Sequence, residues 1–227
     1  MQNEMKNFLL YTIFFVLAFQ GLLAQNKKQQ STLPEEKAKQ ILVDVENKFK
    51  SSKALQADFT YEMRNEVNKT KEEVKGTFVM KKNKFKLKLA DQEIYNNGTT
   101  VWTYLKDANE VNVSDYSPDN EDITPEKVFT LYKRDYKYIF IREFSENGKT
   151  YEEIDLQPTD RSKKVFKIRL VVNKKTKSIK SWEIFEKNQN RFKYTVNSIA
   201  YDIQVDDSYF VFDKKKYPKV QENDLRD

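Results

Sequence analysis

Two pairs of adjacent carboxylates, Glu152-Glu153 and Asp206-Asp207, are the residues of this chain whose type suits acid–base chemistry. Hydrolysis of a glycoside needs two carboxyls flanking one bond, one as acid and the other as base or nucleophile. The spacing defeats that use, because neighbours in a strand point to opposite faces. Glu152-Glu153 reads as a strand half in solvent and Asp206-Asp207 as a turn. Composition removes most other chemistry. The chain has 0 histidines and 0 cysteines. Ser-His-Asp triads, thiol nucleophiles, disulfides and zinc sites built on either ligand are therefore excluded. The acids of SPDNED, residues 117–122, lack the spacing of an EF-hand loop and read as a polar loop. The expectation is a protein with no catalytic residue, no metal site and no cofactor.

The elements that remain must then do something other than catalysis. Residues 1–24 carry one lysine, Lys6, an apolar run from Phe8 to Leu23, and Ala24 before polar QNKKQQ. That is the layout of a cleaved secretory signal peptide. Residues 25–227 are expected to be exported as a single domain, a length that suits one core. Cleavage removes Glu4 and Lys6, so the net charge of +6 is unchanged. With acids interspersed, this mild excess argues for solubility and for attraction to anionic head groups, and nucleic acid is a poor partner for an exported protein.

After the leader, Thr32-Leu-Pro-Glu35 has the form of a capping box with proline in the first turn. Ala38, Ile41, Leu42, Val45 and Phe49 follow as one apolar stripe, which predicts an amphipathic helix over 33–52. The period then changes to two. Leu55, Ala57, Phe59, Tyr61 and Met63 alternate with polar residues as a first strand. In KGTFVMKKNKFKLKL, residues 75–89, a two-residue turn at Lys82-Asn83 pairs Met80 with Phe85, Phe78 with Leu87 and Gly76 with Leu89. All apolar side chains but Val79 then share one face, and Lys75, Lys81, Lys84, Lys86 and Lys88 form a solvated wall on the other.

Strand signals recur to the end: 93–96, 99–105 after the Asn97-Gly98 turn, a return strand at Val111 and Val113, then 137–144, 149–157, 165–172, 178–185 and 192–203. Tyr209–Phe212 reads as the last strand. The series is interrupted by a helix over 124–133, where Pro125 follows Thr124 and Val128, Leu131 and Tyr132 share a face. About ten or eleven antiparallel strands make a mainly β sheet large enough to curl. Hydrophobic content is a modest 38% and aromatic content a high 14%. Bulky, sparse inner side chains can line a hollow as well as fill a core, and each aromatic taken singly reads as ordinary core.

SSKALQADFTYEM at 51–63, KGTFVMKKNKFKL at 75–87, YNNGTTVWTYLKDANEVNV at 95–113, LQP at 156–158 and DSYFVFDKKKYPKV at 207–220 occur in an order similar to that of the LolA family of periplasmic lipoprotein carriers. The resemblance implies an incomplete, half-open antiparallel barrel closed by an α-helical lid over an apolar cavity for acyl chains. Phe59, Tyr61, Phe78, Met80, Leu87, Trp102 and Tyr104 would line that cavity. Ile41, Leu42, Val45 and Phe49, with Val128, Leu131 and Tyr132, would form the lid. The family latches its lid with an arginine in a Lys-Arg-Pro turn; the matching position is Lys82, followed by Asn83 in place of proline. Lysine lacks the planar donor fork, so the latch should be weaker or built elsewhere. A family phenylalanine maps to Phe85. The implied cargo is an acylated lipoprotein or lipid carried from inner to outer membrane by a monomer. Its implied partners are an inner-membrane lipoprotein-releasing transporter and an outer-membrane acceptor. An envelope-stress sensor or lipid-responsive interaction module on the same fold is the alternative.

Overall fold

A computed structural model describes residues 33–117, 133 and 136–226 of the protein. Helix α1 spans 33–51 and is followed by twelve strands. These are β1 (Leu55–Asn65), β2 (Thr70–Lys81), β3 (Lys84–Lys88), β4 (Gln92–Asn96), β5 (Thr100–Leu105) and β6 (Glu110–Asp115) in the first half. The second half holds β7 (Tyr136–Glu146), β8 (Lys149–Pro158), β9 (Val165–Asn173), β10 (Ile179–Glu186), β11 (Asn190–Tyr201) and β12 (Gln221–Asp224). They form one open sheet in the order β12-β6-β5-β4-β3-β2-β1-β11-β10-β9-β8-β7. Every pairing is antiparallel except β12 on β6. The mainly β, half-open architecture with a helix is as expected. The predicted helix over 124–133, and with it Val128, Leu131 and Tyr132, lies outside the described residues, as do Thr32 and most of the SPDNED loop.

The opening hairpin has the register read from its pattern. Met80 faces Phe85, Phe78 faces Leu87, and Lys81 and Lys84 close the turn. Lys82 takes a φ of 56 there. Gly76 sits opposite Phe59. A Cβ added to it would lie 2.6 Å from Phe59 Cζ and 2.8 Å from the Lys88 carbonyl oxygen. The strand therefore needs a residue without a side chain at this point.

Helix α1 lies across one end of the sheet. Ala38, Ile41, Leu42 and Val45 are buried against Ile154, Leu156, Ile168, Leu170, Val172, Ile179, Trp182 and Ile184 of β8, β9 and β10. A second cluster, Leu55, Phe59, Phe78, Met80 and Phe85, fills the inner face of β1–β3, with Phe49 of the helix packed on it.

The C-terminal segment departs from expectation. Tyr209–Phe212 is not a strand; Asp207–Phe210 is a 3-10 turn. Its amides bond locally, Tyr209 N–H to the Asp206 carbonyl and Val211 N–H to that of Ser208. The apolar alternation here reflects a strap crossing the outer face of the sheet. The last strand is Gln221–Asp224, whose polar sequence carries no alternation. Its Asn223 side chain bonds Glu110 and Asn112 of β6.

That strap also corrects the reading of the lysine face. Lys81 donates to the Val205 carbonyl at 2.9 Å, and Asp207 is gripped by Lys81 at 2.9 Å and Lys84 at 2.6 Å. Lys86 lies 4.3 Å over the Tyr95 ring and 5.0 Å over Tyr209. Burial lowers the Lys86 pKa and its neighbour Glu93 opposes that shift. Three of the five lysines thus hold the strap rather than only facing water.

Candidate functional site

The strand pairing decides which aromatic residues meet. Inward positions of β1 alternate from Leu55 through Ala57, Phe59 and Tyr61 to Met63, and the neighbouring strand β11 adds Ile199, Val196, Tyr194 and Phe192. A bulge between Asp58 and Phe59 keeps both runs on the same face. Between the two inner clusters lies a cleft lined by Leu55, Ala57, Phe59, Phe78, Ile179, Trp182, Tyr194, Val196 and Ile199. It encloses about 500 Å³ including its open mouth, with no charged side chain in its wall.

Its floor is aromatic. Trp182 stacks on Tyr194 with centroids 4.6 Å apart, and Tyr194 also meets Tyr61 at 4.9 Å and Phe59 at 6.2 Å. Burial pushes the Tyr194 hydroxyl up to about 12. Trp182 Nε1 is buried with no hydrogen-bond partner among the described residues. An orphan donor of this kind is costly unless something accepts from it.

Five of the seven residues expected to line the cavity share this region: Phe59 and Phe78 in the cleft wall, and Tyr61, Met80 and Leu87 packed with them. Trp102 and Tyr104 do not. Trp102 pairs with Tyr95 and Tyr104 with Glu93, on the face opposite Ile94. Both lie in a third cluster with Tyr95, Val111, Phe212, Val220 and Tyr217. Phe212 is sandwiched there, 5.6 Å from Tyr104 and 4.6 Å from Tyr217. Alternation alone assigns neither face of β5 to the core, because the strap makes its outer face apolar too.

The lid residues also divide. Ile41, Leu42 and Val45 belong to the core under the first part of α1, and only Phe49 reaches the cluster beside the cleft. Each of those three aliphatic side chains contributes about 1.5–3 kcal/mol by burial, against ~0–1 kcal/mol for an exposed ion pair. The hydrophobic contact dominates in holding the helix, and the Phe49 end is also tied to the end of β11 through Asp202, which bonds Ser52 and Lys53.

Charges still fix the helix in place, at a position other than Lys82. Lys82 is exposed and makes no hydrogen bond or ion pair with the described residues. Lys177, in the β9–β10 turn, lies 3.4 Å from Asp44 of the helix and 3.6 Å from Glu152 of β8. Lys37 lies 3.9 Å from Glu152 and 3.6 Å from the centroid of the Phe140 ring. Glu46 receives Lys50 at 2.6 Å and Lys133 at 2.5 Å. Phe85, the match to the family phenylalanine and expected with Lys82 at the latch or a partner contact, is buried against Phe78 with centroids 5.9 Å apart.

Glu152-Glu153 is buried on both sides rather than half in solvent. Glu152 faces the helix, while Glu153 meets Arg142 at 3.1 Å and Arg169 at 3.3 Å on the outer face. Each acid is answered by cations, as burial demands, and the two cannot flank one substrate bond. Nor is there a cluster of three or more potential metal ligands among the described residues.

The family model described as outer membrane lipoprotein carrier protein LolA matches residues 50–213. The chain belongs to the LolA family. Among solved structures, an uncharacterized conserved protein from Thermus thermophilus shares its fold with a TM-score of 0.56 at 14% identity, covering 83% of this chain and 99% of that one. A LolA superfamily protein from Nitrosomonas europaea aligns with a TM-score of 0.42 at 13% identity, over 77% of this chain and 97% of the other. LprF from Mycobacterium bovis aligns at 0.45 and 11% identity, over 76% and 96%. No curated protein matches the chain. In this LolA-family chain the apolar cleft lies on the inner face of β1, β2, β10 and β11, and Lys177 bridges the helix and β8 through Asp44 and Glu152.

Proposed function

We propose that this protein is a periplasmic carrier, without chemistry of its own, that shields the acyl chains of lipoproteins or other lipids during transfer from the inner to the outer membrane. The observation that carries this reading is the cleft between β1, β2, β10 and β11, walled by apolar side chains with no charged one. Each methylene moved from water into such a wall gains about 0.8 kcal/mol, so an acyl chain needs apolar lining and few polar contacts. The unpaired indole N–H of Trp182 supplies a donor for an ester or amide carbonyl at the cleft wall. The free room inside is only about 40 Å³. Loading therefore requires the cleft to widen, with its walls on β1, β2, β10 and β11 moving apart. An inner-membrane lipoprotein-releasing transporter and an outer-membrane acceptor would be the partners of such a carrier, which would act as a monomer.

The test is to produce the chain with its own leader, purify it from the periplasm, extract it with organic solvent and analyse the extract by mass spectrometry. Acylated species in stoichiometric amounts are expected. A protein recovered free of acyl species, and unable to keep an acylated lipoprotein soluble, contradicts the proposal.

A further inference from the structure

The end of the sheet opposite α1 carries an uneven charge. Three turns lie side by side there: 66–69 between β1 and β2, 159–164 between β8 and β9, and 187–189 between β10 and β11. Hydrogen bonds join them into one rim. The Glu66 amide donates to the Gln189 carbonyl at 3.3 Å, the Lys187 amide to the Lys164 carbonyl at 3.0 Å, and Lys187 Nζ to the Arg161 carbonyl at 2.5 Å.

This rim holds five cations, Lys69, Arg161, Lys163, Lys164 and Lys187, all exposed, against two acids, Glu66 and Asp160. Both acids are occupied, Glu66 by Arg64 at 3.0 Å and Asp160 by the Ser162 hydroxyl and amide. Among the described residues, Lys164 alone of the five forms an ion pair, with Glu186 at 3.0 Å. The side chains of Lys69, Arg161 and Lys163 have none among the described residues. At the helix end Lys174 pairs with Glu143 at 2.8 Å and Lys177 with Asp44, while Lys82, Lys149 and Lys175 have no ion-pair partner among the described residues. The other two turns at the rim end mix signs, with Asp91 and Asp107 beside Lys106.

Two apolar side chains stand out of the same rim. Val67, at the tip of its turn, is 69% exposed; Phe166, just past the basic turn, is 41% exposed, with the rest of its ring against Phe185 at 6.2 Å and Arg191 at 5.7 Å. Cations around protruding apolar groups suit the interface of a bilayer with anionic lipids. The inner face also continues to this rim: Tyr61 stacks on Phe192 and Met63 pairs with Phe192 beyond the cleft.

We propose that this rim docks on the surface of a membrane containing anionic phospholipid, with Val67 and Phe166 entering the interface. The consequence that the apolar inner face then opens toward the bilayer rests on the carrier reading; the docking itself does not. Binding should rise with anionic lipid and fall with salt, since exposed charges are screened.

The experiment is sedimentation of the purified protein with vesicles of phosphatidylcholine alone or with about 30% phosphatidylglycerol. The K69Q/R161Q/K163Q variant removes three cations that hold no side-chain partner, so its fold should persist. K214Q/K215Q/K219Q removes the same charge from the strap and serves as control. The wild type and the control should bind the anionic vesicles and leave the neutral ones, and the rim variant should bind at least tenfold more weakly. Equal binding to both vesicles, or equal loss in both variants, overturns the proposal. Uptake of a fluorescent fatty acid, measured in parallel, separates the two readings. Vesicle binding through the rim without uptake overturns the carrier reading alone, and uptake without vesicle binding overturns the rim alone.

Discussion

Trp182 and Tyr194 lie face to face in the cleft, ring centroids 4.6 Å apart and planes 10° from parallel, while the second of the 2 tryptophans, Trp102, sits on the opposite face of the sheet. The two indoles therefore report on different surfaces. A fatty acid entering the cleft should change the emission of Trp182 and leave that of Trp102 unaltered. Titration of the W102F variant should retain the full response, and titration of W182F should lose it. A response that follows Trp102 instead would place the ligand on the outer face.

The helix is fixed by Lys177 between Asp44 and Glu152. Removing Lys177 leaves Glu152, buried on the inner face, with Lys37 alone. Lys177→Gln should raise amide exchange across 41–51 by several-fold and speed fatty-acid uptake, whereas Lys82→Gln should change neither by more than about twofold. Hydrogen exchange with mass detection compares the two variants in one experiment.

Gly76→Ala tests the close approach of β2 to Phe59. The added methyl would meet the Phe59 ring at 2.6 Å and backbone oxygen at 2.8 Å, and the oxygen cannot turn aside as a side chain can. A loss of about 1–3 kcal/mol is expected from overpacking, measured as a lower urea midpoint at unchanged slope.

The strap carries a pH dependence through Asp207. Hydrogen bonds from Lys84 and Lys81 hold its carboxyl down at about 2, against 3.8 ordinarily. A depressed carboxyl stabilises the folded state above its unfolded pKa, and that contribution is lost as pH falls through the folded value. The strap should stay docked at pH 4 and loosen only as pH falls from about 4 toward 2. Asp207→Asn should loosen it at neutral pH. Proteolysis at Lys214–Lys216 reads both.

Much of the sheet was legible because its signal is local. The register of β2 and β3 follows from alternation and a two-residue turn, and the helix stripe from spacings of three and four. What could not be read depends on segments distant in sequence. Trp102 and Tyr104 look like cavity residues until Phe212 and Tyr217, more than a hundred positions later, cover the outer face of β5. Lys81, Lys84 and Lys86 look solvated until the same strap lies on them. Trp182 and Tyr194 carried a weak signal, since each alternates correctly in its strand, but nothing in the chain marks that they stack. The contact of Lys177 with Asp44 and Glu152 was equally hidden, because Glu152 meets it only once β8 lies under α1.

The central claim is that acyl chains occupy the cleft on the inner face. A photo-crosslinking residue at position 78, in the cleft, and separately at position 102, on the outer face, tests it most directly. Each variant is incubated with a triacylated lipoprotein and irradiated. The carrier account predicts an adduct through the acyl chains at position 78 and none at 102. Adducts at 102 alone, or at neither position while the lipoprotein stays soluble, would contradict it.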